Sequence, residues 1–418
     1  MKKLKTVIVA GSVALLTSLS AFADKSTSLQ ERVDQLEREL KALKADLDKP
    51  GVEMSKGTQF FYGGFIKMDA MWSDYSGGER SNNSLGDEIL LPSTIPIGGP
   101  DGATRFDSHV KTSRFYFKTS TQSEMGLLKT HIELDLLTST GNERVSNSSN
   151  TRLRHAYLAW DYAEDASVLV GQTWSTFFNV GALPETLDFI GPTSGTVFNR
   201  QTQLRWTKKL DGGSFMLAAE NPSSGFYDGG VGFDGNNFDD NSMPDIVARY
   251  NLKSGPFAYS VALLGREISY DEGVNDDSYG VGLSVSGKYL FDNGDDLKFM
   301  FSHGALGRYI ALNAFRDGTL LVDGSIDVMD VSGGFIAYRH LWSKKLRSTV
   351  SYAKAEADLS NVVAANTTSN VSNFNLNLIY SPFAKLSVGG EYIDAERQIQ
   401  SGAKGDMKRL QFTVKYAF

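Results

Sequence analysis

Cationic side chains recur on one face of a series of short segments in which apolar and polar residues alternate. Guanidinium and ammonium groups that share a face attract anions and replace part of an anion's hydration shell. The segments place on this face Lys67, Arg114, Lys118, Arg205, Arg249, Arg266, Arg339 and Arg347. The pattern predicts a lining that favours anionic solutes. A less specific interpretation stays open, because any wet lining carries mixed charges and acids such as Glu133 and Asp135 share the face.

Other chemistry is not indicated by the residue types. The chain has no Cys, which excludes disulfides, thiolate metal sites and thiol nucleophiles. Its five His residues are spread over different segments, and no motif ties one of them to a nucleophile, so no catalytic residue is predicted. Acidic stretches at 234–240 and 271–277 offer oxygen ligands for Ca²⁺, but solvated loops explain them better. We therefore expect no enzyme activity, no metal site and no cofactor.

The composition limits the fold class further. Of the 418 residues, 41 are Gly and 11% are aromatic. This aromatic content is too high for a disordered chain. After residue 23 no stretch approaches the roughly 20 apolar residues of a membrane-spanning helix. The formal net charge of −7 argues against nucleic acid as a partner. What remains is a large β protein.

The segments that carry the cations read as strands. From Thr58 to Phe418, apolar and polar residues alternate over runs of about ten residues, the length of a tilted membrane-spanning strand. In the last run, Leu410, Phe412, Val414, Tyr416 and Phe418 alternate with Arg409, Gln411, Thr413 and Lys415. Seven short and eight long connections join the runs, so sixteen strands are expected, with both ends on the short-turn side.

This pattern predicts an all-β fold, a sixteen-stranded antiparallel transmembrane β-barrel over residues 58–418 that is surrounded by outer-membrane lipid. A barrel of this size encloses water. A soluble sandwich would need a second layer over the apolar face, and the other face looks too polar to pack dry. No repeat period suggests a solenoid or propeller.

The N-terminal region has its own signals. Lys2, Lys3 and Lys5, an apolar stretch and the small-residue motif at 21–23 predict a signal peptide over residues 1–23. A heptad pattern over 24–49 then predicts a coiled-coil helix, formed by Leu29, Val33, Leu36, Leu40, Leu43 and Leu47. An amphipathic helix lying on its own domain is the alternative. Residues 50–57 are expected to be a linker, because Pro50 and Gly51 stop the helix.

The third long connection, residues 175–197, is too apolar to extend into water. We expect it to fold against the inner wall and narrow the channel, with Glu185 and Asp188 facing Arg residues across the gap. An outer lid is the alternative. The first outer connection carries another apolar run at 90–97, and the sequence does not decide where that run packs.

Several motifs together resemble the DcaP-like porins of Gram-negative outer membranes. They are GQTWSTF at 171–177, PETLDF at 184–189, RQTQLRW at 200–206, RLRHAY at 152–157, FYGGF at 61–65 and the terminal Phe418. The resemblance implies a homotrimer, a periplasmic coiled coil, an inward third loop and passive uptake of small anions, with dicarboxylates favoured. It also implies that the barrel-assembly machinery recognises Phe418, and it adds Arg200 to the candidate pore-lining residues.

The expected function is therefore passive diffusion of small anionic solutes through an Arg-lined constriction in the cell outer membrane. A general non-selective porin is the first alternative. A structural or adhesive barrel, whose long loops would be the binding surface, is the second.

Overall fold

A computed structural model describes residues 51–55, 57–80, 85–137, 141–142, 147–232, 237–238, 241–270 and 276–418. The predicted signal peptide (1–23) and coiled coil (24–49) lie outside the described residues. Gly51–Ser55, which the sequence assigns to a linker, is a short strand. Over the described ranges, no helix is long and apolar enough to cross a membrane.

Sixteen antiparallel strands form the wall, as the alternating connections predict. They are β1 (Thr58–Tyr75), β2 (Ala103–His109 and Arg114–Ser123), β3 (Gly126–Asp135), β4 (Arg152–Ala163), β5 (Ala166–Trp174), β6 (Arg200–Leu210), β7 (Gly213–Glu220), β8 (Asp245–Ser254), β9 (Phe257–Tyr270), β10 (Asp276–Leu290), β11 (Asp296–Gly304), β12 (Val331–Leu341), β13 (Leu346–Ala357), β14 (Thr368–Phe383), β15 (Leu386–Ile399) and β16 (Lys404–Ala417). The sheet closes where β16 pairs with β1, in a register that joins Phe65 to Ala417 and Tyr75 to Met407. Within the described residues, closure leaves the wall without an edge strand, as a membrane barrel requires.

The two faces of the wall follow the predicted alternation. On β16, Phe412 is 54% exposed whereas Arg409, on the other face, is 1% exposed. The same pattern is found on β14, where Leu376 and Leu378 are exposed and Asn375 is buried. The apolar side chains therefore point outward, towards lipid, and their polar neighbours point into the barrel.

The expectation that the inner face is too polar to pack dry is wrong for parts of β8, β9 and β11 to β14. The inward residues there include Val247, Leu264, Met300, Val331, Phe335, Ala353 and Val371. Two long connections cover them, loop 3 (residues 175–199) and loop 6 (residues 305–330). Phe177 and Phe178 of loop 3 and Ile310 and Phe315 of loop 6 are at most 1% exposed. A dry core therefore fills this side of the lumen.

Loop 1 (residues 76–102) also packs onto the inner wall. Its Leu90 and Ile95 form a small apolar cluster with Tyr75 of β1, Met407 of β16 and residues of β15. The apolar run that the sequence left unassigned is thus buried inside the barrel. Loop 4 (residues 221–244) pairs with loop 6 through the short strands Ser224–Gly229 and Gly318–Leu321, which the alternation did not predict.

Loop 3 lies so close to the wall that one position requires a glycine. A Cβ atom added to Gly195 would overlap the backbone carbonyl of Gly334 on β12. This contact places the end of loop 3 directly on the strand backbone.

We predict that Gly195→Ala lowers the stability of the barrel by about 1–3 kcal/mol, the usual cost of overpacking. The loss would appear as a lower temperature of unfolding, measured from the heat-modified electrophoretic mobility. Gly265→Ala on β9 is the matched control, because a Cβ there meets nothing within 4 Å. Equal stability of the two variants would contradict the close packing of loop 3.

Candidate functional site

Side chains of the wall hold the main chain of loop 3. Arg249 of β8 donates from Nη1 to the carbonyl oxygens of Thr176 (3.1 Å) and Phe178 (2.8 Å). Lys298 of β11 donates from Nζ to the carbonyl oxygen of Leu183 at 2.7 Å. These cations satisfy backbone acceptors that would otherwise be buried without a partner.

Glu185 connects the middle of loop 3 to β12 and β13. Its carboxylate accepts two hydrogen bonds from Arg347, from Nε at 2.7 Å and from Nη2 at 2.6 Å, and Arg339 lies 3.7 Å away. Burial would raise the pKa of Glu185, but the bonds and charge of Arg347, with the charges of Arg339 and Lys415, outweigh it and lower the pKa below its ordinary value.

The next turn of loop 3 lies against β1 and β15. Lys67 of β1 binds Asp69 and donates to the carbonyl oxygen of Leu187 at 2.8 Å. Glu391 of β15 accepts from the backbone N–H groups of Leu187 (2.7 Å) and Asp188 (3.2 Å). The Asp188 carboxylate in turn accepts from the N–H of Leu90 in loop 1 at 2.8 Å. Loops 1 and 3 are therefore linked at this level.

A group of cations lies on strands β2, β4 and β6 of the wall. We call it the basic wall, and it consists of Arg114 and Lys118 on β2, Arg152 and Arg154 on β4, and Arg200 and Arg205 on β6. Two carboxylates of β3 lie among them. Arg154 binds Glu133 at 2.7 Å and Asp135 at 3.0 Å, and Arg152 binds Asp135 at 2.7 Å.

Three members of the basic wall have no carboxylate within ion-pair distance, although the charge of Glu220 still acts on Arg205. Lys118, Arg200 and Arg205 make no ion pair with any described residue. The Nζ atom of Lys118 lies 4.5 Å from the centre of the Tyr116 ring, and the guanidinium of Arg200 lies 4.7 Å from that of Trp174. Contacts of this kind orient a cation without neutralising it.

Phe189 of loop 3 extends to the basic wall. Its ring centre lies 5.7 Å from the guanidinium of Arg152 and 5.5 Å from that of Arg154. A cavity of about 220 Å³ adjoins this contact. Its lining includes Phe65, Arg114, Glu185, Phe189, Arg347 and Lys415. The cavity thus lies between loop 3 and cationic side chains of the wall, and no three of the described His, Asp and Glu residues are grouped to hold a metal ion.

The predicted site residues fall into three groups. Arg114, Lys118, Arg200 and Arg205 lie together on the basic wall. Lys67 and Arg249 instead donate to main-chain carbonyl oxygens of loop 3, and Arg339 lies near the side chain of Glu185. Asp188 accepts hydrogen bonds from backbone N–H groups and does not face an Arg. Arg266 is 3% exposed and pairs with Asp317 of loop 6 and Asp245, so it does not line an open lumen.

Some site residues were missed. Arg152 and Arg154 appeared only as part of a family motif, because a register shift between Glu133 and Leu134 interrupts simple alternation beside β4. Lys415 lies on the polar face of the last run and could have been added from its parity alone. Phe189 carries no signal in the sequence beyond its place in an apolar loop.

A closed sixteen-stranded barrel with inward loops beside a charged wall defines the class, the β-barrel channels of the outer membrane. The chain matches the DcaP outer membrane protein family over residues 30–418 and belongs to that family. This confirms the resemblance found in the motifs.

Solved structures share the fold. The chain is similar to the outer membrane channel DcaP of Acinetobacter baumannii, with a TM-score of 0.73 and 22% identity over 88% of this chain and 99% of that chain. It is less similar to Salmonella typhi OmpF, with a TM-score of 0.56 and 11% identity over 87% and 98% of the two chains. The chain is also similar to the trimer form of Vibrio cholerae OmpT, with a TM-score of 0.50 and 10% identity over 87% of this chain and 100% of that chain. No curated protein matches the chain.

The depressed pKa of Glu185 predicts how loop 3 responds to acid. Because the folded-state pKa lies below the ordinary value of about 4.3, the pairing with Arg347 stabilises loop 3 at neutral pH and is lost only as the pH falls through the lower value. We expect single-channel current noise to stay low at neutral pH and to rise only as the pH falls below the ordinary range of a carboxyl group.

In Glu185→Gln the noise should be high at neutral pH as well, because the ion pair is absent. Glu124→Gln, in the exposed turn between β2 and β3, is the control and should behave like the unaltered protein. A quiet Glu185→Gln channel at pH 7 would show that Glu185 does not hold the loop.

Proposed function

We propose that the protein is a passive diffusion channel for small anionic solutes, with dicarboxylates as the favoured class. The observation that carries the proposal is the basic wall, where Lys118, Arg200 and Arg205 have no ion-pair partner among the described residues and where Phe189 of loop 3 lies beside Arg152 and Arg154. Six cations share this wall with two carboxylates, Glu133 and Asp135. The local excess of positive charge opposes the net negative charge of the chain.

The mechanism has no chemical step. Two unit charges 4 Å apart interact by about 4 kcal/mol at an effective dielectric constant of 20, so one guanidinium offsets part of the dehydration of a carboxylate. A dianion gains from two guanidinium groups at once, which favours dicarboxylates over monocarboxylates. Release requires that no group binds too tightly. The aromatic contacts of Lys118 and Arg200 hold these charges apart from carboxylates and keep them available.

A general non-selective porin is the second candidate. It is favoured by the ion pairs that Arg152 and Arg154 form with Glu133 and Asp135, because paired charges exert a weaker field on solutes. A structural or adhesive barrel would pass no ions at all, so conductance alone separates it from both channel functions.

The assembly that we propose is a homotrimer in outer-membrane lipid, with the coiled coil of residues 24–49 in the periplasm. Support comes from the heptad pattern and from the trimer form of Vibrio cholerae OmpT, which has a similar fold. We also propose that the barrel-assembly machinery recognises the terminal Phe418, whose ring is 44% exposed.

Arg205→Ala is predicted to weaken anion preference. Removing one guanidinium that has no ion-pair partner should cost a passing anion on the order of 1 kcal/mol, or about a fivefold fall in the anion-to-cation permeability ratio at low salt. The ratio is obtained from the reversal potential of a planar bilayer in a salt gradient.

The matched control is Lys208→Ala, which removes one positive charge from the same strand. Lys208 pairs with Asp165 in an exposed turn, away from the basic wall. An unaltered protein that prefers cations, or equal effects of the two variants, would reject the role of the basic wall.

The proposed trimer predicts a particle of three chains in mild detergent, measured by sedimentation. Deleting residues 24–49 should lower the temperature at which it dissociates, because the predicted heptads would no longer join the chains. A single-chain particle for the full-length protein would contradict the assembly.

A further inference from the structure

Phe189 is the one aromatic side chain of loop 3 whose ring lies beside Arg152 and Arg154 in the described structure. Its ring also approaches that of Phe198, with centres 5.7 Å apart. Phe189 lines the cavity that also contains Arg114 and Lys415. Phe189 therefore lies where this cavity meets the basic wall.

The position of Phe189 is fixed by the two residues before it. Glu391 accepts hydrogen bonds from the N–H groups of Leu187 and Asp188, and also from the side-chain amides of Asn375 (2.9 Å) and Asn377 (3.0 Å). All four partners are donors, and the carboxylate is 2% exposed.

The Asp188 side chain adds a second constraint. It accepts from the N–H groups of Ile190 (3.2 Å) and Gly191 (3.3 Å), on the far side of Phe189, and from Leu90 of loop 1. The backbone is therefore held on both sides of the phenyl ring.

We propose that Phe189 sets the width of the passage and thereby the largest solute that crosses it, and that Glu391 is the residue that positions it. Phe189 takes this role only if solutes pass beside it, so the assignment rests on the proposed diffusion function. The ring also covers part of two guanidinium groups that are already paired with Glu133 and Asp135, so it leaves Lys118, Arg200 and Arg205 as the cations that attract anions.

The amide of a glutamine cannot replace the Glu391 carboxylate. It offers one acceptor oxygen and one NH₂ group, and in either orientation the NH₂ group faces a backbone N–H and an Asn amide that also donate. Rotation of the Asn375 amide could not supply an acceptor for the glutamine NH₂ group, because the Asn375 oxygen already accepts a hydrogen bond from the Asn373 amide. Glu391→Gln therefore preserves the volume of the side chain but removes the tether.

The test uses the full-length protein in planar bilayers, with uncharged polyethylene glycols of increasing size as probes of the bore. Phe189→Ala should shift the exclusion limit to larger polymers and raise the conductance, whereas Phe189→Trp should shift both the other way. Phe301→Ala is the control, because it deletes the same atoms from a ring that is 56% exposed on the outer face of β11. An unchanged limit in both Phe189 variants would overturn its role.

Glu391→Gln should raise the exclusion limit less than Phe189→Ala does, and it should increase the open-channel noise. Heat-modified electrophoretic mobility shows whether the barrel of this variant has folded. An unchanged exclusion limit together with a quiet current would overturn the role of Glu391. If Glu391→Gln fails to fold, the variants Phe189→Ala and Phe189→Trp still test whether Phe189 sets the width of the passage. Because the polymers are uncharged, the bore result is independent of ion selectivity. If the channel prefers cations but the Phe189 variants shift the polymer exclusion limit as expected, the proposed anion selectivity is rejected and the role of Phe189 stands.

Discussion

The position of loop 3 depends on polar side chains that bind its main chain. A backbone N–H or carbonyl group buried without a partner costs about 1–3 kcal/mol, and loop 3 has several that no strand can satisfy. Arg249, Lys298, Lys67 and Glu391 satisfy them from four different parts of the wall. The passage has a defined shape because these bonds leave the loop few alternative positions.

This use of charge explains why inward cations are not equivalent. Lys67 and Arg249 lie on the inner face, but their donors are directed at carbonyl oxygens of loop 3, and Arg266 is enclosed with Asp317 and Asp245. Only cations away from the loops, such as Arg205, can exert most of their field on a solute. The proposed selectivity therefore depends on which side of the lumen the loops occupy as much as on the number of basic residues.

Much of the fold could be predicted from the sequence, because a strand has a side-chain period of two and the lipid requires one face of each strand to be apolar. The sixteen strands and the outward position of residues such as Phe412 follow from that requirement. The pattern does not reveal what covers the inner face. Small inward residues such as Ala353 and Ala355 are neither clearly apolar nor polar in the alternating pattern. In the structure they belong to the same buried apolar cluster as Phe177 and Ile310. For the same reason, parity assigns both Arg205 and Arg266 to the inner face but cannot show that Arg266 is covered by loop 6.

The dry core also limits where the passage can change its width. Loop 6 contains three successive non-glycine residues in the left-handed region, Ala311, Leu312 and Asn313, with φ of 54°, 54° and 59°. Each costs about 1–2 kcal/mol, so the turn persists only because surrounding contacts outweigh the strain. Those contacts include the bridge between Val197 and Ile310 and the apolar cluster around them. Moving this half of loop 3 would break that core, whereas residues 187–189 are held mainly by hydrogen bonds to Glu391, Lys67 and Asp188. A change in bore is therefore least costly at Phe189, on the side of the lumen that faces the basic wall.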